Sequence, residues 1–272
     1  FSSYAGKKDG VALRSFIDAV GLALKCLGLE EGDSFAISVL SPEIYSEAFR
    51  RNGIKPYLVD VDDEMMVDSE AVKAGLDKGV KAVLYFEPLG LLPSSMESIK
   101  AIGIPVIEDI TESIGSAYSS IKPGVIGDIV IAATEEDSIV STAGGAVLLS
   151  DNEEYLSIMK KEVSDYSPFI ELADMNAALG IVQLDKLPSI VQRRSSIYDI
   201  YLDEARKRNR VKVFGSGGID LEVNGYGFCC IINDRPDEAI QLAQKYQVTI
   251  RKTFSKAIGA RYQDRFDRFP KV

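Results

Sequence analysis

Pro105–Ser150 reads PVIEDITESIGSAYSSIKPGVIGDIVIAATEEDSIVSTAGGAVLLS. An apolar run ends on two acids, Glu108 and Asp109. A small-residue segment leads to a Gly-Asp turn at Gly127 and Asp128. The apolar stretch Ile129–Ala133 follows, then the acidic loop Glu135–Asp137, a Gly-Gly pair and a second apolar stretch, Ala146–Ser150. Short apolar runs bounded by such turn signals read as buried strands.

Upstream the same grammar repeats. Val11–Arg14, Phe35–Leu40, Tyr57–Val61, Ala82–Phe86 and Val106–Glu108 read as strands. Between them Phe16–Leu27, Ile44–Asn52, Ser69–Asp77 and Met96–Ile102 carry apolar residues at helical spacing, with Ser15 placed to cap the first and Gly28 and Gly53 to end two of them. Strands alternating with helices imply right-handed crossovers and a mainly parallel sheet, so the fold class is α/β. Ligands of such sheets sit beyond the carboxyl ends of strands, which is where Ser15, Glu87 and Asp109 fall. After Ser150 the pattern turns helical: Asn152–Val163, Asp174–Lys186 and Pro188–Arg208, then a strand at Tyr226–Asn233, a helix at Pro236–Tyr246 and a strand at Val248–Arg251. The expected division is a large domain with its closing helices at 1–208 and a small α+β domain at 209–272. The GSGG segment marks the link.

Composition narrows the functions. The net charge of −10 disfavours nucleic acid and anionic membrane surfaces as partners. No apolar run is long enough to span a bilayer, and no signal peptide is visible. Cys26, Cys229 and Cys230 lack metal-ligand spacing and histidine is absent, so no metal site and a cytoplasmic location are expected.

Several segments resemble the PLP-dependent nucleotide-sugar aminotransferases of the DegT/DnrJ/StrS family, which have the aspartate-aminotransferase fold. LGLEEGDSF (Leu27–Phe35) is similar to the family's LGI-x-x-GDEV, and NGIKPYLVDVD (Asn52–Asp62) to GAKPVFVDVD. VIEDITESIGSAY (Val106–Tyr118) is similar to VIEDAAQAIGA-x-Y, and Gly127-Asp128 to a Gly-Asp pair before the lysine-bearing strand. MNAALGIVQLDKLPSIVQRR (Met175–Arg194) is similar to QAAxGLVQLxKLxxIIxRR. Five motifs in the family's order imply its fold and a homodimer, because family sites lie between subunits.

The resemblance also implies positions for chemistry, and there the chain departs. The Schiff-base lysine, required because only an amine condenses with the PLP aldehyde, falls on Asp137. The histidine of a related dehydratase branch has no counterpart. The phosphate-binding Ser-Gly-Thr falls on Ser15, Phe16 and Ile17, the serine of FSF on Ala132, the subunit-bridging NYR on Phe169, Ile170 and Glu171, and the ring-stacking aromatic near Pro42. Asp109 stands at the carboxylate that keeps the pyridine nitrogen protonated, and Glu112 where the family often has glutamine. The resemblance thus implies Asp109, Glu112 and Ser15 as vestigial cofactor contacts, no catalytic residue and no cofactor. The function expected is a homologue without transamination that binds a nucleotide sugar or regulates surface-polysaccharide biosynthesis. The alternative is an active PLP aminotransferase acting on a keto-sugar nucleotide.

Other clusters have plainer readings. Glu135–Asp137 suits a solvated loop, Gly144-Gly145 a tight turn, and Arg193-Arg194 a solvent-facing or subunit-contacting helix surface. Tyr166, Tyr198 and Tyr201 suit packing of a long helix, and Cys229-Cys230 a core strand.

Overall fold

The computed structural model describes residues 1–62, 64–92, 96–207, 211–213, 220–232 and 235–260. GSGG and Arg208 lie outside the described residues. A short helix α1 (Ser2–Ala5) precedes strand β1 (Asp9–Leu13) and helix α2 (Phe16–Cys26). Then come β2 (Ser34–Ser38), α3 (Ile44–Arg51), β3 (Lys55–Val59), α4 (Ser69–Leu76), β4 (Val80–Phe86), α5 (Met96–Lys100) and β5 (Val106–Asp109). A two-residue strand β6 (Ala117–Tyr118) leads to β7 (Ile129–Ala133) and β8 (Ala146–Ser150). Helices α6 (Glu153–Tyr166) and α7 (Asp174–Arg206) follow, then β9 (Val211–Val213), β10 (Leu221–Glu222), β11 (Cys230–Ile232) and α8 (Pro236–Lys245).

Seven strands form one sheet in the order β1-β8-β7-β5-β4-β2-β3. The pairs β2–β3, β2–β4, β4–β5 and β5–β7 are parallel, while β8 runs antiparallel to both β7 and β1. This is the mainly parallel, helix-flanked sheet that the alternating pattern implies. Side chains alternate across it. Ile37, Leu84, Ile107, Ile131 and Leu148 pack with α2, α3 and α6 through Ala19, Leu24, Phe49 and Met159. On the other face Val59, Val83, Tyr85 and Val106 meet Val72 of α4 and Ile99 of α5. Val130, Ala132, Val147 and Leu149 share a cluster with Leu187 of α7.

Local chemistry sets the element ends. Ser15 caps α2 by accepting from the Asp18 amide. Gly28 closes it at φ +67, with Leu29 N–H reaching back to the Leu24 carbonyl, the left-handed cap only glycine adopts without strain. The Gly-Asp turn has two jobs. A Cβ on Gly127 would stand 2.6 Å from the Glu108 Cβ, and Asp128 Oδ2 accepts the Val106 amide at 2.8 Å, tying the turn to the start of β5.

Two elements differ from the sequence reading. The helices expected at 174–186 and 188–208 are one helix of 33 residues running through Pro188. Proline removes one intrahelical donor, but Leu187 and its neighbours pack on the sheet and hold the axis. Val248–Arg251 forms no strand. β10 pairs with β6 in a separate two-stranded sheet, and Arg194 Nε donates to the Gly225 carbonyl at 3.3 Å.

Candidate functional site

Beyond the carboxyl ends of β4, β5 and β7 lies a cavity of about 380 Å³. It is lined by the start of α2 (Ser15, Phe16, Ile17), by Pro42 and Ile44, by Phe86 and Asp109, by Thr111 and Glu112, by Ala133 to Ser138 in part, and by Tyr226. The structure therefore brings Asp109, Glu112, Ser15 and Asp137 to one cavity.

Asp109 is buried at the end of β5. Its Oδ2 accepts from the Tyr45 hydroxyl at 2.7 Å, and its Oδ1 accepts from the Thr111 amide at 3.0 Å and from the Thr111 hydroxyl. The Thr111 hydroxyl oxygen also accepts the Ala133 amide at 2.9 Å, so the tips of β5 and β7 are tied through this side chain. A carboxylate has about four acceptor sites, and three are used here. Burial pushes the Asp109 carboxyl up, opposed by the hydrogen bonds from Thr111 and Tyr45.

Behind it stands a buried acid pair. Glu108 accepts the amides of Gly124, Ile126 and Gly127 at 2.6, 2.9 and 2.6 Å, a concave set of N–H groups suited to negative charge. Glu87 is wholly buried beside it and takes the Ser113 hydroxyl. Burial first, and the Glu108 charge second, hold Glu87 well above the usual carboxylate range. Glu87 therefore holds its proton more tightly than an exposed glutamate does.

Glu112 accepts the Leu89 amide at 2.6 Å. Burial raises its carboxyl to about 7, with the Asp109 charge adding and the bonds from Leu89 and Tyr226 opposing. In its neutral form it offers the donor and acceptor of a glutamine side chain. The Ser15 hydroxyl oxygen accepts the Asp18 amide at 3.4 Å, a cap that leaves its O–H able to donate. The Phe16 and Ile17 amides open α2 with no intrahelical acceptor, so their side chains do not cancel the helix end as an anion-binding element. Glu135 and Asp137 are exposed on the rim.

Sequence reasoning missed three participants: Tyr45, Thr111 and Tyr226. Tyr226 is set by Asn224, which is fully buried. Asn224 Nδ2 donates to the carbonyls of Glu112 and Ile114 at 2.7 and 2.9 Å, and its Oδ1 accepts the Tyr226 amide at 2.7 Å. Other motifs resolve to structure. Gly144 and Gly145 turn at φ +129 and +112, and a Cβ on Gly145 would meet the Leu13 carbonyl at 2.6 Å. Tyr198 and Tyr201 pack on Phe228. Cys229 is buried and Cys230 half-buried.

The sequence pattern of the DegT/DnrJ/EryC1/StrS aminotransferase family matches residues 1–216, and the chain belongs to that family. Its fold is similar to that of a putative sugar aminotransferase, Spr1654 from Streptococcus pneumoniae, in its PLP form. The TM-score is 0.86 at 19% identity, covering 99% of this chain and 80% of that one. The PMP form of the same protein matches with a TM-score of 0.84 at 18% identity, covering 99% and 81%. The aminotransferase TlmJ from Streptoalloteichus hindustanus matches at 0.85 and 20% identity, covering 95% and 76%.

These relatives correct the expectation that no cofactor is involved. The family is one of aminotransferases, and a protein of this fold is solved in both PLP and PMP forms. The cavity fits such a group at two of its three ends. Asp109 keeps an acceptor site for a pyridinium N–H, and the start of α2 offers amides to a phosphate. At the third end, none of the described residues lining the cavity is a lysine.

Proposed function

We propose that this chain is a member of the sugar aminotransferase family that holds the pyridine cofactor without a covalent bond, does not transaminate, and serves as a nucleotide-sugar-binding partner in surface-polysaccharide biosynthesis. The observation that carries this reading is the lining of the cavity: Glu135 and Asp137 stand on its rim, and no lysine is among the described lining residues. When bound, the cofactor supplies an electron-withdrawing ring. Asp109 would hold its nitrogen proton, Phe86, Pro42 and Ile44 would exclude water from its faces, and the Phe16 and Ile17 amides would hold the phosphate. Glu112, with its carboxyl near 7, would move or hold a proton at the cavity wall.

A homodimer belongs to the same proposal. Met175, Leu179, Val182, Ile197 and Ile200 are exposed and recur at the spacing of one face of α7. No helix among the described residues is long and apolar enough to cross a membrane, and we place the protein in the cytoplasm.

The test mixes purified protein with PLP, reduces with borohydride, and searches for a labelled lysine by mass spectrometry. No label is expected, no amino transfer from glutamate to a keto-sugar nucleotide, and a rise in thermal midpoint with nucleotide sugars. The buried Asp109 is what favours the rival reading, an active aminotransferase, and a reducible lysine adduct would establish it.

A further inference from the structure

We infer that Glu112 is a proton-operated gate on one wall of the cavity: neutral, it keeps the wall shut, and on ionising it releases the segment that carries Tyr226 and admits water. The gate does not depend on what the cavity holds.

Two stretches of chain meet at Glu112. The first is the turn at 88–90. Glu112 Oε2 accepts the Leu89 amide, and Leu89 sits at φ +60, ψ +18. Residues other than glycine keep that left-handed conformation only where their surroundings hold it. The second stretch is 224–227. The Tyr226 hydroxyl bonds to the Glu112 carboxyl, and Asn224 Nδ2 donates to the Glu112 carbonyl at 2.7 Å. The two stretches also touch each other. The Ser116 hydroxyl donates to the Gly90 carbonyl at 2.6 Å and accepts the Asn224 amide at 3.1 Å. A Cβ on Gly90 would stand 2.3 Å from Asn224 Oδ1, and one on Gly227 3.5 Å from Leu89 Cδ2. Glu112 and Tyr226 both line the cavity, so this seam closes its wall.

The surroundings are set against a charge on Glu112. Asp109 faces it from the end of β5, with Glu87 behind Asp109. Asp137 on the rim and Arg251 beyond α8 face Tyr226, and Arg251 is the one cation among these groups. Burial first raises the Glu112 carboxyl to about 7, the Leu89 amide opposing and the Asp109 charge adding. An ionised Glu112 therefore gains by reaching water. β4 and β5 are fixed in the sheet, whereas 223–229 is irregular chain, so the Tyr226 side is the one that yields. Open, Glu112 titrates near the ordinary 4.5; closed, near 7. The open fraction is lowest below the first value, climbs between them and levels off above the second.

The experiment is hydrogen exchange of the full chain read by mass spectrometry, with wild type and E112Q at pH 6 and pH 8. Each rate is divided by that of an unstructured amide at the same pH. In the wild type, residues 87–91 and 223–228 should exchange faster than β7 at both pH values, and about tenfold more at pH 8 than at pH 6. E112Q should show no such rise. Y226F, which removes a bond that favours the charged form, should show a larger rise than the wild type, and it decides the matter should E112Q not fold. No rise in the wild type, an equal rise in E112Q, or a smaller rise in Y226F overturns the inference. So do rates in the two stretches that merely match those of β7, since Glu112 would then meet water only when the whole molecule unfolds.

Discussion

Replacing Glu112 by glutamine should stabilise the protein, and more so as pH rises. The folded-state carboxyl sits at about 7 against an ordinary 4.5, chiefly because it is buried. The folded chain therefore keeps a proton that the unfolded chain releases across this window. Stability from that proton is complete below the ordinary value and is lost as pH climbs through the folded one. At about 1.4 kcal/mol per pH unit, the neutral form's advantage is about 1.4 kcal/mol near pH 5.5 and about 3 kcal/mol near pH 8. Glutamine cannot release a proton, and its amide oxygen can still accept from Leu89. The E112Q variant should thus gain about 2 kcal/mol relative to wild type between those two pH values. Glu87, also held high by burial, is common to both proteins and cancels. The assay is urea unfolding of both proteins at each pH, read by circular dichroism. A stability difference that is the same at both pH values would refute the placement of Glu112 as a buried, neutral-leaning acid.

Asn224→Ala should cost roughly 3–5 kcal/mol, because it leaves the Glu112 and Ile114 carbonyls and the Tyr226 amide without their partner; a loss below about 1 kcal/mol in chemical denaturation would show that water replaces it. Gly127→Ala should destabilise by about 1–3 kcal/mol, since its Cβ would stand 2.6 Å from that of Glu108 and 2.7 Å from the Ile129 carbonyl oxygen; an unchanged thermal midpoint would contradict the close approach. Met175→Glu combined with Ile200→Glu should convert a dimer to a monomer in sedimentation velocity while circular dichroism stays the same, and a dimer that persists would move the interface off this face of α7.

The sheet was legible because its inner strands are buried on both faces and bounded by turn residues, so periodicity and punctuation agree. Asp109 was legible for a related reason: an acid at the end of an apolar run marks a strand tip. Its partners were not. Tyr45 lies 64 residues away and reads as an ordinary apolar position on a helix face. Tyr226 reaches the cavity only because Asn224 is clamped by Glu112 and Ile114, over 100 residues away in sequence. No local pattern encodes such pairings. Pro188 misled in the other direction. Its breaking tendency is local, whereas the packing of Leu187 on the sheet is tertiary and stronger. The family's phosphate motif was judged by side chains, yet an N-terminal amide is present whatever residue carries it.

The tie running from Tyr45 through Asp109 and Thr111 to Ala133 links α3, β5 and β7 through the protein's own groups. This aspartate is therefore a rivet of the scaffold as well as a contact for whatever enters. Folding alone gives it a reason to persist whether or not the chain transaminates. The solvent-facing rim at Asp137, which no strand or helix depends on, is the part free to drift toward a new ligand.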